Sequence, residues 1–110
     1  MSAANHVYVF TSDHGLVKIG KSNNPERRRC DLQYRSGLNV YLAHARKFED
    51  ASAVERAAHI VLQDRRRNGE WFDVSPEEAI AALDMAVSNI RARDRTREDA
   101  SRLRRGFRQT

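Results

Sequence analysis

Two runs of β-branched and aromatic residues near the start of the chain constrain its fold most. Residues 7–10 (Val-Tyr-Val-Phe) and 16–19 (Leu-Val-Lys-Ile) are separated by the polar, glycine-containing segment 12–15 (Ser-Asp-His-Gly). Such runs are typical of strands, and such a separator is typical of a β-hairpin turn. The sequence therefore predicts an antiparallel sheet. A βαβ nucleotide fold is not predicted, because the hairpin comes first and no Gly-x-Gly-x-x-Gly follows a strand.

Capping signals predict the first two helices. Residues 24–26 (Asn-Pro-Glu) combine an N-cap, a proline at the first helical position and an acidic residue near the positive end of the helix dipole. This helix should end at residues 36–37 (Ser-Gly). A second helix should begin at Asp50 or Ser52, because apolar residues recur from there at helical spacing, and end at residues 68–69 (Asn-Gly).

Two further strands and a third helix complete the predicted fold. Residues 38–48 fit a third strand and residues 70–74 a short aromatic one, and a capping box at 75–78 begins a helix whose apolar face ends at Ile90. The fold class is α/β (α+β), a small, mainly antiparallel three-stranded sheet flanked by helices. Residues 1–91 form the domain, and residues 92–110 form an arginine-rich tail that either extends the last helix or lacks order.

The net charge of the chain is concentrated in this tail. Residues 91–110 hold eight arginines against three acidic residues, which equals the whole net charge of +5, so residues 1–90 balance to zero. A basic arm on a neutral body favours a polyanion, because each neutralised phosphate releases counterions. A solvated tail without a partner is the alternative interpretation.

The single cysteine and the N-terminus bear on the environment of the protein. Cys30 has no partner for an intramolecular disulfide, and a cysteine-cluster metal site is excluded. We expect Cys30 to be a small buried hydrophobic residue and not a nucleophile. The N-terminus lacks a signal-peptide pattern, and no apolar run approaches the roughly 20 residues that span a bilayer. A cytoplasmic protein with no membrane association is therefore expected.

Several short motifs occur in a defined order along residues 6 to about 83. They are Val-Tyr-Val-Phe at 7–10, Val-Lys-Ile-Gly at 17–20, Lys-Ser-Asn-Asn-Pro-Glu-Arg-Arg at 21–28, a glutamate on the second helix, and Gly-Glu-Trp-Phe at 69–72. The ordered set resembles the phage-type branch of the GIY-YIG nuclease superfamily, which has a metal-dependent phosphodiesterase fold. His6 stands where the first motif of that family usually has glycine.

The resemblance implies a catalytic site. Tyr8 matches the tyrosine of the first motif, Lys18 the lysine of this branch, and Arg28 the catalytic arginine eight residues after Gly20. Tyr8 would activate or orient a water, Lys18 would assist it or contact the phosphate, and Arg28 would bind non-bridging oxygens. Glu55 matches the glutamate that binds the single metal ion, Mg²⁺ or Mn²⁺.

Other residues are assigned to the same function. His59 lies one turn after Glu55, recurs in this branch, and would act beside the metal or on the phosphate. The expected partner is DNA, with RNA and a homodimer left open. Weak or nonspecific action is favoured, because no residues aimed at base edges are identifiable. The residues assigned to nucleic-acid binding are Lys21, Arg27, Arg29, Arg95, Arg102, Arg104 and Arg105.

Each assignment has a structural alternative. Tyr8 alone is an ordinary strand tyrosine, Lys18 an exposed strand residue, and Glu55 with His59 a surface pair at i, i+4 spacing. Trp71 and its neighbour Phe72 are expected in the core, Asn68 as a helix C-cap, and Glu70 is a rival carboxylate. At the level of function, the alternatives to an endonuclease are a nucleic-acid-binding protein without useful catalysis and a partner-dependent subunit.

Strand register provides a structural condition for the site. Tyr8 and Lys18 must lie on one face of the hairpin, and residues that face each other across an antiparallel pair share a side. Their paired numbers must therefore sum to an even value such as 28. This predicts a three- or five-residue connection, or a bulge, in place of a simple four-residue turn. Pairing of Phe10 with Val17 would exclude the catalytic assignment.

Deletion of residues 92–110 should leave the domain folded and should flatten the salt dependence of its binding to DNA. The apolar pattern ends before this segment, whereas most of the excess positive charge lies within it. Binding to a DNA duplex at several salt concentrations, with circular dichroism as the control for folding, checks both parts. Unfolding of the truncated chain would show instead that Leu103 and Phe107 pack against the domain.

Overall fold

The computed structural model describes residues 5–108, with side chains through Arg102. The elements follow the order β1 (His6–Ser12), β2 (Val17–Ser22), α1 (Pro25–Ser36), β3 (Val40–Lys47), α2 (Ala51–Val61), a 3₁₀ turn (Gln63–Arg65), β4 (Arg66–Asn68), β5 (Trp71–Phe72) and α3 (Pro76–Arg108). The α+β class predicted from the sequence is confirmed. No helix among the described residues is long and apolar enough to cross a membrane.

The sheet has five antiparallel strands in the order β3-β1-β2-β5-β4, so the prediction of three strands was wrong. The additional pair consists of β4 and β5. The short aromatic strand predicted at residues 70–74 is confirmed as β5. The strand that was not predicted is β4, because its three residues show too little alternation to be distinguished from a loop or a helix end.

The register of the first hairpin meets the condition set by the sequence. Tyr8 faces Gly20 and Phe10 faces Lys18, so each pair of numbers sums to 28. Five residues, 12–16, connect the last paired residues of β1 and β2, which confirms the odd-length connection. Gly15 turns the loop with a positive φ of 87°, a conformation that favours glycine.

The two faces of the sheet are covered by different helices. Val7, Val9 and Ile19 project towards α2 and α3 and form the larger core with residues such as Leu83. Tyr8 and Phe10 project to the opposite face, where Val40, Leu32 and Leu38 form a smaller core beneath α1. Phe72 is buried in the larger core, as predicted. Tyr8 and Lys18 consequently share the face that α1 covers.

The caps of α1 and α3 follow the sequence closely. The Asn24 side chain accepts a hydrogen bond from Arg27 N–H, and Gly37 ends α1 in the left-handed region with φ of 73°. At the start of α3, Ser75 N–H donates to Glu78 Oε1 at 2.9 Å and Glu78 N–H donates to Ser75 Oγ at 3.0 Å. These reciprocal bonds confirm the predicted capping box.

The second helix is shorter than predicted. It ends at Val61 and is followed by the 3₁₀ turn and by β4, so the prediction that it continues to residues 68–69 was wrong. Asn68 lies in β4 and is not a helix C-cap, and Gly69 turns into β5 with φ of 58°. The asparagine-glycine pair marks a hairpin turn here, because both structures use the same left-handed residue.

The third helix continues far beyond the apolar face that anchors it. The last buried residue of this helix is Ala86. Val87 and Ile90 are partly buried and pack at the rim of the core, and beyond them the helix runs without a break to Arg108. The tail therefore extends the helix, which was one of the two forms predicted. Residues 91–99 are exposed, and Arg102 pairs with Glu98 and Asp99 at 3.8 Å. The side chains of Arg104 and Arg105 lie outside the described part.

Gly20→Ala should destabilise the domain by about 1–3 kcal/mol, because it forces a shift in packed atoms. A Cβ at position 20 would lie 2.5 Å from Tyr8 Cζ and would also collide with the Tyr8 hydroxyl. Urea denaturation of Gly20→Ala, Tyr8→Val and the double variant measures the coupling between the two positions. The cost of Gly20→Ala should largely disappear in the Tyr8→Val background. An equal cost in both backgrounds would show that the ring is not the obstacle.

Candidate functional site

A cluster of charged side chains lies where the edge of β2 is left uncovered by β5. The pairing of β5 with β2 covers Val17 and Lys18, and the last backbone bond between these segments runs from Ile19 N–H to Glu70 O at 3.2 Å. Within the part of the chain that the structure describes, residues 19–22 of β2 have no strand partner in β5. Side chains from α1 and α2 approach the sheet at this point.

Tyr8 occupies the centre of the cluster. Its ring stacks on Phe10 with centroids 3.9 Å apart, and it lies over Gly20, whose missing side chain leaves the necessary space. Only 1% of the residue is exposed. Burial raises the pKa of Tyr8 to about 12, and the nearby charges of Glu70 and Glu55 act in the same direction. The phenol is therefore neutral at physiological pH.

The Arg28 guanidinium on α1 interacts with the Tyr8 hydroxyl, and this interaction lowers the pKa of Tyr8. This contact opposes the rise in the Tyr8 pKa without reversing it. A guanidinium can only donate, so the Tyr8 proton stays available for another acceptor. Arg28 lies in the first turn of α1 and is itself exposed. The spacing of eight residues after Gly20 therefore places an arginine beside the tyrosine.

Lys18 and Glu70 form a partly buried ion pair. Lys18 Nζ lies 2.8 Å from Glu70 Oε1, and the exposed fractions of the two side chains are 13% and 39%. The ammonium also lies 5.7 Å from the centroid of the Trp71 ring, within the range of a cation–π contact. Lys18 is thus held by an anion and by an aromatic face, which excludes the structural alternative of an exposed strand lysine.

Glu55 is the one charged residue in the core of the described chain, with 8% of its surface exposed. Burial raises the pKa of this carboxyl, and the negative charge of Glu70 raises it further. The nearby groups His59, Lys21 and Lys18 partly oppose the rise in this pKa. The surface-pair alternative is therefore excluded for Glu55, because the carboxylate is costly to keep at this position.

His59 connects α2 to the uncovered edge of β2. Its Nε2 lies 2.8 Å from Ile19 O, and because a carbonyl can only accept, Nε2 carries the proton. Its Nδ1 lies 3.4 Å from an Arg66 nitrogen, and its ring lies 5.1 Å from that of Phe72. The histidine therefore supplies a backbone partner where β5 ends. It fixes the position of α2, and hence of Glu55, on the sheet.

The basic residues assigned to nucleic acid differ in their surroundings. Lys21 Nζ donates to Ser52 Oγ at 3.0 Å and so lies between β2 and α2 at the edge of the cluster. Arg27 is exposed on α1. Arg29 donates to Val40 O at 2.9 Å and pairs with Glu26, so it attaches α1 to β3. We therefore assign Arg29 to the fold.

Cys30 is exposed, so the prediction of a buried cysteine was wrong. No residue of α1 is buried, and this helix contacts the sheet through partly buried side chains such as Leu32. A cysteine on a helix with a wide polar surface is buried only if it lies on the narrow contacting stripe. Cys30 instead lies beside Glu26 and Arg29.

A groove of about 730 Å³ lies away from the charged cluster, between α2 and the middle of α3. Phe48, Ile60 and Ile90 contribute its apolar surface, and Arg91 and Arg97 lie at its rim. Ile60 and Glu55 project from different sides of α2. The groove therefore adds nothing to the arrangement around Tyr8, which is an open surface cluster.

The structure thus brings together Tyr8, Lys18, Arg28 and Glu55, the residues selected from the sequence. It adds Glu70, which the sequence presented only as a rival carboxylate. The sequence signal for Glu70 was its position in Gly-Glu-Trp-Phe. Because Trp71 pairs with Lys18, the residue before Trp71 lies at the open edge of β2, next to Lys18.

Fold and site together define a small α+β domain with a mixed cluster of acidic and basic side chains at an open sheet edge. A family model of the T5orf172 domain matches residues 5–87, so the chain belongs to the T5orf172 domain family. This phage-associated domain is related to nuclease-like folds of the GIY-YIG and HNH types. Neither a curated protein nor a solved structure matches the chain.

Glu55→Gln should raise the free energy of unfolding at pH 7. The folded-state pKa of Glu55 is raised above its ordinary value of 4.5, so the ionised carboxylate disfavours the folded state. Below pH 4.5 both states are protonated and the cost is absent, and it develops as the pH rises through the folded-state pKa. Urea denaturation at pH 7 and pH 4 should therefore show a gain that is confined to pH 7.

The matched control is Glu49→Gln, because Glu49 is an exposed glutamate just before α2. It should change the free energy of unfolding by at most about 0.5 kcal/mol at either pH. A loss of stability for Glu55→Gln at pH 7 would contradict the description of Glu55 as a destabilising buried charge.

Proposed function

We propose that this domain is a metal-dependent endonuclease that hydrolyses phosphodiester bonds in DNA by the one-metal mechanism of GIY-YIG nucleases. The observation that carries the proposal is the convergence of Tyr8, Lys18, Arg28 and Glu55 on one edge of β2, from four different elements. The packing of the fold does not require four polar side chains to meet at this point. In particular, Glu55 is buried at a cost, as residues at functional sites often are.

The residues fit a hard divalent cation such as Mg²⁺ or Mn²⁺. Such ions prefer carboxylate oxygens, and the Glu55 carboxylate lies in a site where burial and the charge of Glu70 make an added positive charge favourable. Among the described residues no group of three or more acidic, histidine or cysteine side chains is placed to hold a metal ion. Glu55 would therefore hold the ion with substrate and water as the other ligands.

When bound, the cation would neutralise charge on the phosphate and favour deprotonation of a water. The chain itself supplies the other groups. Arg28 is exposed beside Tyr8 and binds the non-bridging oxygens, where negative charge increases during in-line attack. Lys18 projects from the same face of the sheet as Tyr8 and provides a second positive charge to the phosphate.

Of the two roles considered for Tyr8, activating or orienting the attacking water, we assign the second. With a pKa of about 12, the phenol keeps its proton near neutral pH and is a poor general base in the free protein. Because a guanidinium can only donate, Arg28 leaves the Tyr8 O–H to donate to the water or to a phosphate oxygen. The stacked Phe10 and the space over Gly20 fix the direction of that donor.

The basic extension of α3 provides affinity without sequence reading. Arg91, Arg93, Arg95 and Arg97 are exposed on a helix that projects beyond the folded core. Such a helix contacts phosphates and increases affinity on any sequence. The substrate class is therefore a nucleic acid of broad sequence, bound in a salt-dependent manner.

Nicking of supercoiled plasmid in Mg²⁺ or Mn²⁺ tests this function. Glu55→Gln and Arg28→Ala should each lower the rate at least about 100-fold, because each removes a charge that stabilises the transition state. Arg35→Ala is the matched control for Arg28, since Arg35 is an exposed arginine two turns further along α1, and it should retain the activity.

Two outcomes would argue against the proposal. Cleavage that survives both Glu55→Gln and Arg28→Ala would show that the cluster is not the catalytic site. Salt-dependent binding without cleavage under any cation would favour the alternative of a nucleic-acid-binding protein that keeps the fold without catalysis.

A further inference from the structure

Lys18 forms an ion pair with Glu70, although the proposed function needs the ammonium of Lys18 to bind the phosphate. Lys18 Nζ and Glu70 Oε1 are 2.8 Å apart, and the lysine is the more buried partner. A largely buried ammonium requires a counterion, because an unpaired charge in such a place is costly. As long as Glu70 fills this role, the positive charge of Lys18 is not free to attract a phosphate oxygen.

The backbone around Glu70 is held by hydrogen bonds and strand pairing, whereas its side chain is partly exposed. Glu70 O accepts from Ile19 N–H at 3.2 Å, and the next residue, Trp71, pairs with Lys18 across the sheet. Gly69 makes the preceding turn with φ of 58°. Movement of the carboxylate therefore requires only side-chain rotation, and 39% of that side chain is exposed to the solvent that a new conformer would enter.

Lys18 has a second partner that carries no charge. The Trp71 ring lies 5.7 Å from Nζ and belongs to the residue that pairs with Lys18 in the sheet. An aromatic face stabilises an ammonium without neutralising it. Trp71 can therefore keep Lys18 in place after Glu70 has left, with the positive charge directed to another anion.

Glu70 and the helix that carries Glu55 meet at the same residue of β2. Ile19 N–H donates to Glu70 O at 3.2 Å, and Ile19 O accepts at 2.8 Å from His59 Nε2, one turn after Glu55. The charge of each carboxylate acts within the cluster, since that of Glu70 raises the pKa of both Glu55 and Tyr8. Two carboxylates that repel one another favour a cation between them. On this geometry we propose that Glu70 is an exchangeable counterion, which pairs with Lys18 in the free protein and moves to the divalent cation held by Glu55. The exchange leaves Lys18 for the phosphate.

This inference rests on the proposed function and extends it to the coupling of two binding events. When Glu70 turns from Lys18 towards the cation site, the freed lysine would favour the phosphate. By reciprocity, a phosphate on Lys18 releases Glu70 and strengthens the binding of the cation. Cation and nucleic acid should therefore bind with positive cooperativity, through a residue that touches each in turn.

Mn²⁺ binding to the full chain, measured by electron paramagnetic resonance of the free ion, tests the exchange without relying on cleavage. Glu70→Gln should weaken Mn²⁺ binding about tenfold, as loss of a supporting carboxylate does. Lys18→Met should strengthen it, because Glu70 no longer has to leave a partner. That gain should disappear when Lys18→Met is made in the Glu70→Gln background. Glu49→Gln is the exposed control and should change neither.

A second measurement follows the lysine. In the absence of divalent cation, Glu70→Gln should tighten binding of a short DNA duplex several-fold, and this gain should require Lys18. A purely structural salt bridge would give the opposite result, with Glu70→Gln lowering the urea midpoint while DNA binding stays the same or weakens.

The possible results distinguish a failure of the Glu70 exchange from a failure of the proposed nuclease function. If Glu55→Gln abolishes Mn²⁺ binding while Glu70→Gln leaves it unchanged, the exchange is excluded and the proposed nuclease site is retained. If the gain from Lys18→Met persists in the Glu70→Gln background, the lysine acts on Glu55 directly and the exchange is again excluded. If neither glutamate variant alters Mn²⁺ binding, the site itself is assigned to the wrong residues.

Discussion

The close approach of the Tyr8 ring to the backbone of Gly20 is the contact on which the arrangement of the site depends. The two residues face each other across the first hairpin, so any side chain at position 20 would occupy the place of the phenol. Because the ring lies over Gly20, its hydroxyl is near Arg28 and experiences the charges of the two glutamates. One missing side chain thus fixes the orientation of the central group.

The hairpin could be predicted because it follows from a local sequence pattern, whereas its register was predicted from the site that the family resemblance implies. Alternating residues on paired strands share faces, and the requirement that Tyr8 and Lys18 lie together determined the length of the turn. The caps of α1 and α3 were equally accessible, since Asn24 and Ser75 act within four residues of themselves. Here short-range chemistry was sufficient.

The missed features depend on contacts that are distant in sequence. Arg66 belongs to a strand only because β5 pairs with it, and nothing in its own neighbourhood distinguishes it from the end of a helix. The role of Glu70 is likewise decided by Lys18, 52 residues away in the chain. His59 has a backbone carbonyl as its partner. A carbonyl is present at every residue, so no sequence pattern could indicate which one the imidazole would contact.

The balance of charge in the cluster explains why the basic extension matters for the proposed function. Lys18, Lys21 and Arg28 face Glu55 and Glu70, so three positive groups are nearly offset by two negative ones, and the attraction of this surface for a polyanion is weak. A strongly positive cluster would bind phosphate tightly before any cation arrived. In the proposed function, near neutrality makes phosphate binding depend on the cation and leaves general affinity to the arginines of α3. If the cluster serves catalysis and the helical extension serves affinity, residues 1–90 need no net charge, and the whole net charge can lie in residues 91–110.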